Sequence, residues 1–158
     1  MDMVSLLFKQ KVFSWFDSYN IFYENGDIAF TVKGQMAWGH LLNIYDPQGN
    51  KLGYIKEKVV TMLPKFNLFV NEQHVGTISR KFTMFKPAYT IDFNNWEIKG
   101  DIMGWDYDAY CGSELVMQAR KQLFKLSDTY EIDVMQPENT LYALMVVLAI
   151  DAANCSSK

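Results

Sequence analysis

Four groups of side chains in this sequence are of types that could do chemistry. Asp101, Asp106 and Asp108 form the densest acidic group, flanked by Gly100, Gly104 and Trp105. Three carboxylates drawn together can hold a hard cation or divide acid and base roles. Their spacing does not match an EF-hand, and solvent-facing turn positions explain them at lower cost. If residues 105–110 are extended, Asp106 and Asp108 share a strand face and Asp101 is the uncertain third member. An enzyme using the Asp106–Asp108 region with a divalent cation is therefore one reading to test.

His40 and His74 are the only histidines, both near expected strand ends and without a cysteine or paired carboxylate at a metal-ligand spacing. Ordinary surface or hydrogen-bonding roles suit them better than catalysis. No Gly-x-Ser-x-Gly elbow is present to indicate a hydrolase. No catalytic residue, resident metal or cofactor is assigned.

Lys56, Lys58, Arg80 and Lys81 are the candidate anion-binding residues. Arginine can bracket a phosphate and lysine supplies a mobile point charge. Outward or edge positions on strands are the structural alternative, and Glu57 between the two lysines weakens the functional one. Lys9 and Lys11 are possible additions. Trp15, Trp38, Trp96 and Trp105, with the many Tyr and Phe residues, read chiefly as core. Trp38 stands apart, because Gly34 and Gly39 near it suggest an exposed turn.

These groups must be positioned by the rest of the chain. With 158 residues, 49% of them hydrophobic and 15% aromatic, there is material for one domain with one core, spanning 1–158. Lys and Arg total 15 against 18 for Asp and Glu, giving a formal charge of -3. Broad nucleic-acid binding is disfavoured by that balance. Asp2 and the short apolar stretch after it do not resemble an export signal. Cys111 and Cys155 match no metal or redox spacing and read as free thiols. A cytoplasmic protein is expected, with peripheral membrane contact left open.

Aromatic and β-branched residues recur in short runs divided by turn chemistry. Asn25-Gly26 marks a hairpin, with Ile28, Phe30 and Val32 alternating after it. Pro47 and Gly49 mark another turn. An internal duplication follows at an offset of 23 residues: Leu52-Gly53-Tyr54-Ile55 corresponds to Val75-Gly76-Thr77-Ile78, Lys58 to Lys81, Pro64 to Pro87, Phe66 to Tyr89, and Leu68 to Ile91. Each copy reads as strand, turn around proline, strand. Further strands are expected at 89–93, 96–99, 105–110, 115–122 and 130–134, for about twelve in all.

The pattern then breaks. Pro137-Glu138-Asn139-Thr140 suits a helix start, and ten uninterrupted apolar residues, Leu141 to Ile150, precede Asp151. The run is about half the ~20 residues that span a bilayer, so no transmembrane segment is expected. It also lacks the polar face of a surface helix. A barrel of about twelve strands is too wide to be filled by its own side chains, and a helix roughly 10–12 Å across fills it. The predicted fold is mainly β: a closed twelve-stranded barrel around a C-terminal hydrophobic helix, with Leu144 and Leu148 inside.

Several segments in this order resemble the LURP-one-related family. They are Lys9-Gln10-Lys11-Val12-Phe13, Gly53-Tyr54-Ile55-Lys56, Gly76-Thr77-Ile78-Ser79-Arg80-Lys81, Trp96-Glu97-Ile98-Lys99-Gly100-Asp101, and Leu148-Ala149-Ile150-Asp151-Ala152. The family's fold looks like the C-terminal domain of tubby proteins, which implies a twelve-stranded barrel around a hydrophobic helix. Related tubby domains bind phosphoinositides through basic residues, and the neighbouring scramblase family is associated with membranes. The resemblance carries over no catalytic residue. The expectation is a noncatalytic interaction or regulatory domain whose partner is an unidentified protein or an anionic ligand.

Overall fold

The computed structural model describes residues 2–8, 18–86, 88–122 and 129–156. Lys9, Lys11, Trp15 and Pro87 lie outside the described residues, as does the side chain of Cys155. The alternating runs become twelve strands in chain order: β1 (Val4–Phe8), β2 (Ser18–Tyr23), β3 (Ile28–Ala37), β4 (Gly39–Tyr45), β5 (Lys51–Glu57) and β6 (Lys65–Val70), then β7 (Gln73–Lys81), β8 (Ala88–Asp92), β9 (Trp96–Asp101), β10 (Asp106–Cys111), β11 (Glu114–Gln122) and β12 (Thr129–Val134). A 3-10 turn over Pro137–Asn139 leads into helix α1 (Thr140–Ser156).

All pairings are antiparallel, mostly between chain neighbours. The long-range ladder joins β1 to β12, from Val4↔Val134 to Phe8↔Tyr130. The order β8-β7-β6-β5-β4-β3-β2-β1-β12-β11-β10-β9 wraps the sheet almost into a ring. The expected closure has one exception: β8 and β9 flank a seam with no ladder between them. A tight turn at Phe93–Asn95 joins these strands, and Asn94 and Asn95 both take positive φ. Side chains pack there, with Phe93 edge-on to Trp96 at 5.0 Å and 5.1 Å from Tyr142 of α1.

Inside the barrel lies α1. Ala143 to Ile150 are all buried, Leu144 and Leu148 included, as the apolar run predicts. The helix fills the space that twelve strands enclose but cannot occupy themselves. Inward positions such as Leu6, Ile44, Ile55, Leu68, Ile78 and Ile132 close around it. Outward positions include Lys33, Glu97, Lys99, Glu131 and Asp133. A charged exterior over an apolar interior reverses the polarity of a lipid-facing barrel wall. Among the described residues, no helix is long and apolar enough to cross a membrane.

Two local expectations change. Ile28 does not share a face with Phe30 and Val32: a register shift at Ile21/Phe22 inserts a residue, leaving Ile28 exposed and Ala29 buried. The helix also runs past the apolar stretch, so Asp151 is inside α1 and only 7% exposed.

The meander sorts the connections between two ends of the barrel. The β3–β4, β5–β6, β7–β8 and β9–β10 connections lie at one end; β2–β3, β4–β5, β6–β7, β8–β9, β10–β11 and the entry to α1 lie at the other. The duplicated units are the β5–β6 and β7–β8 hairpins, side by side. Where the prolines mark turns, the described residues form loops, over 58–64 and 82–86.

Candidate anion-binding site

Alternation decides which basic residues can meet. On β5, Gly53 and Ile55 face inward, so Lys56 faces out, and Lys58 follows it in phase. On β6, Phe66 and Leu68 face inward, leaving Lys65 outside. On β7, Gly76 and Ile78 point in, so Lys81 points out while Arg80 takes the inward phase at the rim.

Pairing brings the outward residues together. The Lys58 N–H donates to the Lys65 carbonyl at 2.9 Å, continuing the β5–β6 ladder in which Glu57 faces Phe66. Lys65 in turn faces Ser79, two residues from Lys81. Lys58 and Lys81 are thus two strands apart, about 10 Å across the sheet, with Lys65 between them. Three of the four residues expected from sequence, Lys56, Lys58 and Lys81, share one outer face. Arg80 is turned toward a cleft of about 380 Å³ between the two loops, lined by Met62, Leu63, Pro64, Arg80, Lys81, Phe82 and Thr83. None of the four forms an ion pair among the described residues. Glu57, the feared competitor, is engaged by His40, whose Nδ1 lies 3.3 Å from its Oε2.

Lys65 and Lys86 were not expected at this site. Lys65 follows Pro64 and Lys86 precedes Pro87. At the 23-residue offset Lys65 maps to Ala88, so the duplication gave no signal for it.

The acidic candidate is arranged differently. Asp106 and Asp108 share an outward face, as the alternation predicts. Arg120 reaches both: Nε lies 3.2 Å from Asp106 and Nη2 donates to Asp108 at 2.6 Å. Arg120 Nη1 also donates to the Tyr107 and Ala119 carbonyls at 2.9 Å, which fixes the guanidinium. Asp101 accepts from the Gly104 N–H at 3.2 Å, shaping its own turn. Among the described residues, no group of three or more His, Cys, Asp or Glu is placed to hold a metal ion.

His74 is likewise committed. Its Nε2 lies 3.0 Å from Thr77 Oγ1, whose hydroxyl donates to Asn67 at 2.9 Å. A hydroxyl donating away from the imidazole is not an activated nucleophile. Trp96 and Trp105 are buried, in keeping with packing roles, whereas Trp38 is exposed, as its glycines suggest.

A polar cluster inside the barrel was missed by sequence reading. Tyr89 donates to Asn154, and the Asp151 carboxylate acts on Tyr19 and Tyr107. Burial pushes both phenols well above their ordinary value, and Asp151 pushes them further. Neutral, deeply held phenols provide no base near neutral pH.

Comparison with known proteins agrees with this architecture. The chain is similar to the "Uncharacterized protein YxjI" of Bacillus subtilis (strain 168), 27% identical over 150 residues covering 94% of this chain and 93% of that protein. Its fold is similar to the X-ray structure of a protein from Arabidopsis thaliana, with a TM-score of 0.68 and 16% identity, covering 96% of this chain and 91% of that one. The family model described as LURP-one-related matches residues 4–151. The near-closed barrel, its buried helix and that match over almost the whole chain make this protein a member of the LURP-one-related family, with a tubby-like fold.

Proposed function

We propose that this chain is a noncatalytic, cytoplasmic interaction domain that binds an anionic, phosphate-bearing ligand at the end formed by its duplicated hairpins. The observation that carries the reading is the pairing of Lys58 with Lys65. Like charges directly opposite each other across a ladder are destabilising. Here Lys56 and Lys81 add to the same face, and none of these lysines has an acidic partner among the described residues. A phosphate group relieves that repulsion, and Arg80 on the adjoining cleft offers the planar fork that brackets it. The enzyme alternative at Asp106 and Asp108 is less well supported, because Arg120 already engages both carboxylates.

Cosedimentation with anionic and neutral vesicles at several salt concentrations tests the proposal. Binding to anionic vesicles should weaken as salt rises, and Lys58→Glu with Lys81→Glu should weaken it further while near-UV circular dichroism is unchanged. Inositol polyphosphate should compete if the phosphate group is what is recognised. No binding to anionic vesicles or to inositol polyphosphate at low salt would sink the reading.

A further inference from the structure

Among the described connections, charge and apolarity are unevenly divided between the two ends of the barrel. The described connections at the far end, 24–27, 46–50, 71–72, 93–95, 112–113 and 135–139, contain Glu24, Asp27, Asp46, Glu72 and Glu138 and no Lys or Arg. Those at the hairpin end contain Lys58 and Lys86 and no Asp or Glu among the described residues. The most exposed large apolar side chains also collect at the hairpin end. Trp38, Val60, Met62, Phe82, Met84 and Phe85 range from 78% exposed at Trp38 to full exposure at Met62. All six stand on three neighbouring tips, β3–β4, β5–β6 and β7–β8. At the far end, Met3, Tyr23 and Ile28 reach only 37–50%.

The tips are built to present these residues. Thr61 Oγ1 donates to the Leu63 carbonyl at 2.8 Å and reaches the Lys58 carbonyl at 3.3 Å, tying the loop beneath Val60 and Met62. Thr83 ties the second loop in the same way, to the Lys86 carbonyl. Val60 is held at φ 63°, a conformation that a β-branched residue rarely adopts, and it is 96% exposed there. Backbone strain of this kind clusters at functional sites, and here it sets an apolar side chain in solvent.

We propose that this end of the barrel inserts into an anionic lipid bilayer, with the six apolar side chains entering the acyl boundary while Lys58, Lys65, Lys81 and Lys86 hold the phosphates. The inference rests on the anion-binding reading above and names the surface that carries the anions. Charge and depth favour a bilayer. Lysines sit at the loop bases and apolar residues at the apices, the order in which phosphates and acyl chains are met on entering a membrane. The acidic far end orients the molecule, since a negative surface repels it while attracting the hairpin end. Three separate convex prongs need no complementary groove in a fluid interface.

The test uses phosphatidylserine–phosphatidylcholine vesicles, with and without lipids brominated on the acyl chain, and phosphatidylcholine vesicles as control. Bromolipids should quench the fluorescence of the bound protein, and Trp38→Phe should remove most of that quenching. Met62→Ser with Phe85→Ser should weaken binding by about tenfold or more, leave the salt dependence as steep as before, and leave the thermal melt unchanged. Lys58→Glu with Lys81→Glu should flatten the salt dependence instead. Salt-sensitive binding without quenching, indifferent to the Met62 and Phe85 changes, would overturn insertion and leave the anion reading standing. Binding and quenching that survive the lysine reversals but not the apolar ones would overturn the anion reading and leave insertion standing. No binding to any vesicle would overturn insertion; a dimer in solution that Met62→Ser with Phe85→Ser makes monomeric would then identify a second copy as the occupant.

Discussion

Gly76 lies bare against Phe93. A Cβ at residue 76 would stand 2.7 Å from the Phe93 Cβ and 2.6 Å from the Asp92 carbonyl oxygen, closer than packed atoms come. Phe93 fills the seam between β8 and β9, so the missing side chain makes room for it. Gly53, at the same place in the other duplicated unit, has a similar constraint: a Cβ there would meet the Phe69 carbonyl oxygen at 2.4 Å. Both glycines sit beside register shifts in the ladder, at Ile44/Tyr45 and Leu68/Phe69. Gly76→Ala and Gly53→Ala should each cost about 1–3 kcal/mol through forced displacement. Urea denaturation monitored by tryptophan fluorescence measures this. An unchanged midpoint for both would contradict the packing described.

The duplication that revealed these glycines also shows what a sequence exposes and what it hides. Features repeated in register, such as Gly53 with Gly76 and Lys58 with Lys81, were legible because two copies state the same requirement. The helix was legible because a run without a polar face has only a core to occupy. Lys65 was hidden because its counterpart is Ala88, and its closeness to Lys58 depends on ladder register. Phe82 and Phe85 read as core with the other aromatics, and Met62 and Met84 drew no reading, because composition does not say how long a proline-marked loop is. The bulge that exposes Ile28 has no residue signature, and the neighbours of Asp151 come from strands far away in the chain.

Leu148 tests the threaded helix. Leu148→Ala should cost roughly 2–5 kcal/mol, the range for a buried leucine whose surroundings do not collapse. Leu148→Asp should abolish cooperative folding, since the carboxylate has no partner in an apolar wall. Met62→Ala, a change of similar size on an exposed tip, should leave the thermal midpoint within experimental scatter. A Leu148→Asp protein that melts like the wild type would place this helix outside the barrel.

Arg120 makes a prediction about metal ions. With its guanidinium spanning Asp106 and Asp108, millimolar calcium or magnesium should not shift the melting temperature of the wild-type protein. Arg120→Met leaves two carboxylates side by side and should cost no more than about 1 kcal/mol, because the cluster is partly open to solvent. The variant's melt, unlike that of the wild type, should rise on adding calcium. A clear calcium-induced rise in the wild type would revive the metal-assisted reading.

Tyr19 and Tyr107 set the alkaline limit of stability. Their phenols ionise well above the usual value of about 10 in the folded state, through burial first and Asp151 second. Above about pH 10 the unfolded chain releases these protons and the folded chain keeps them. Stability is therefore undiminished by these groups below that pH and falls as pH rises toward the folded values. Ultraviolet titration should show two or more tyrosines that ionise only together with unfolding. Smooth ionisation of every tyrosine near pH 10 in a still-folded protein would disprove their burial.

The helix that fills the barrel is also the last described element to leave the ribosome, after all twelve strands. Until it arrives, the inward faces of those strands have no filling, and β1 must wait for β12, the last strand made, to pair with across Val4↔Val134. The hairpins can form locally as they emerge, but the ring cannot close around its core during synthesis. Maturation is consequently a late, whole-chain event of high contact order, the slow and aggregation-exposed kind. A nascent chain stalled before Thr140 would present an open apolar sheet to chaperones.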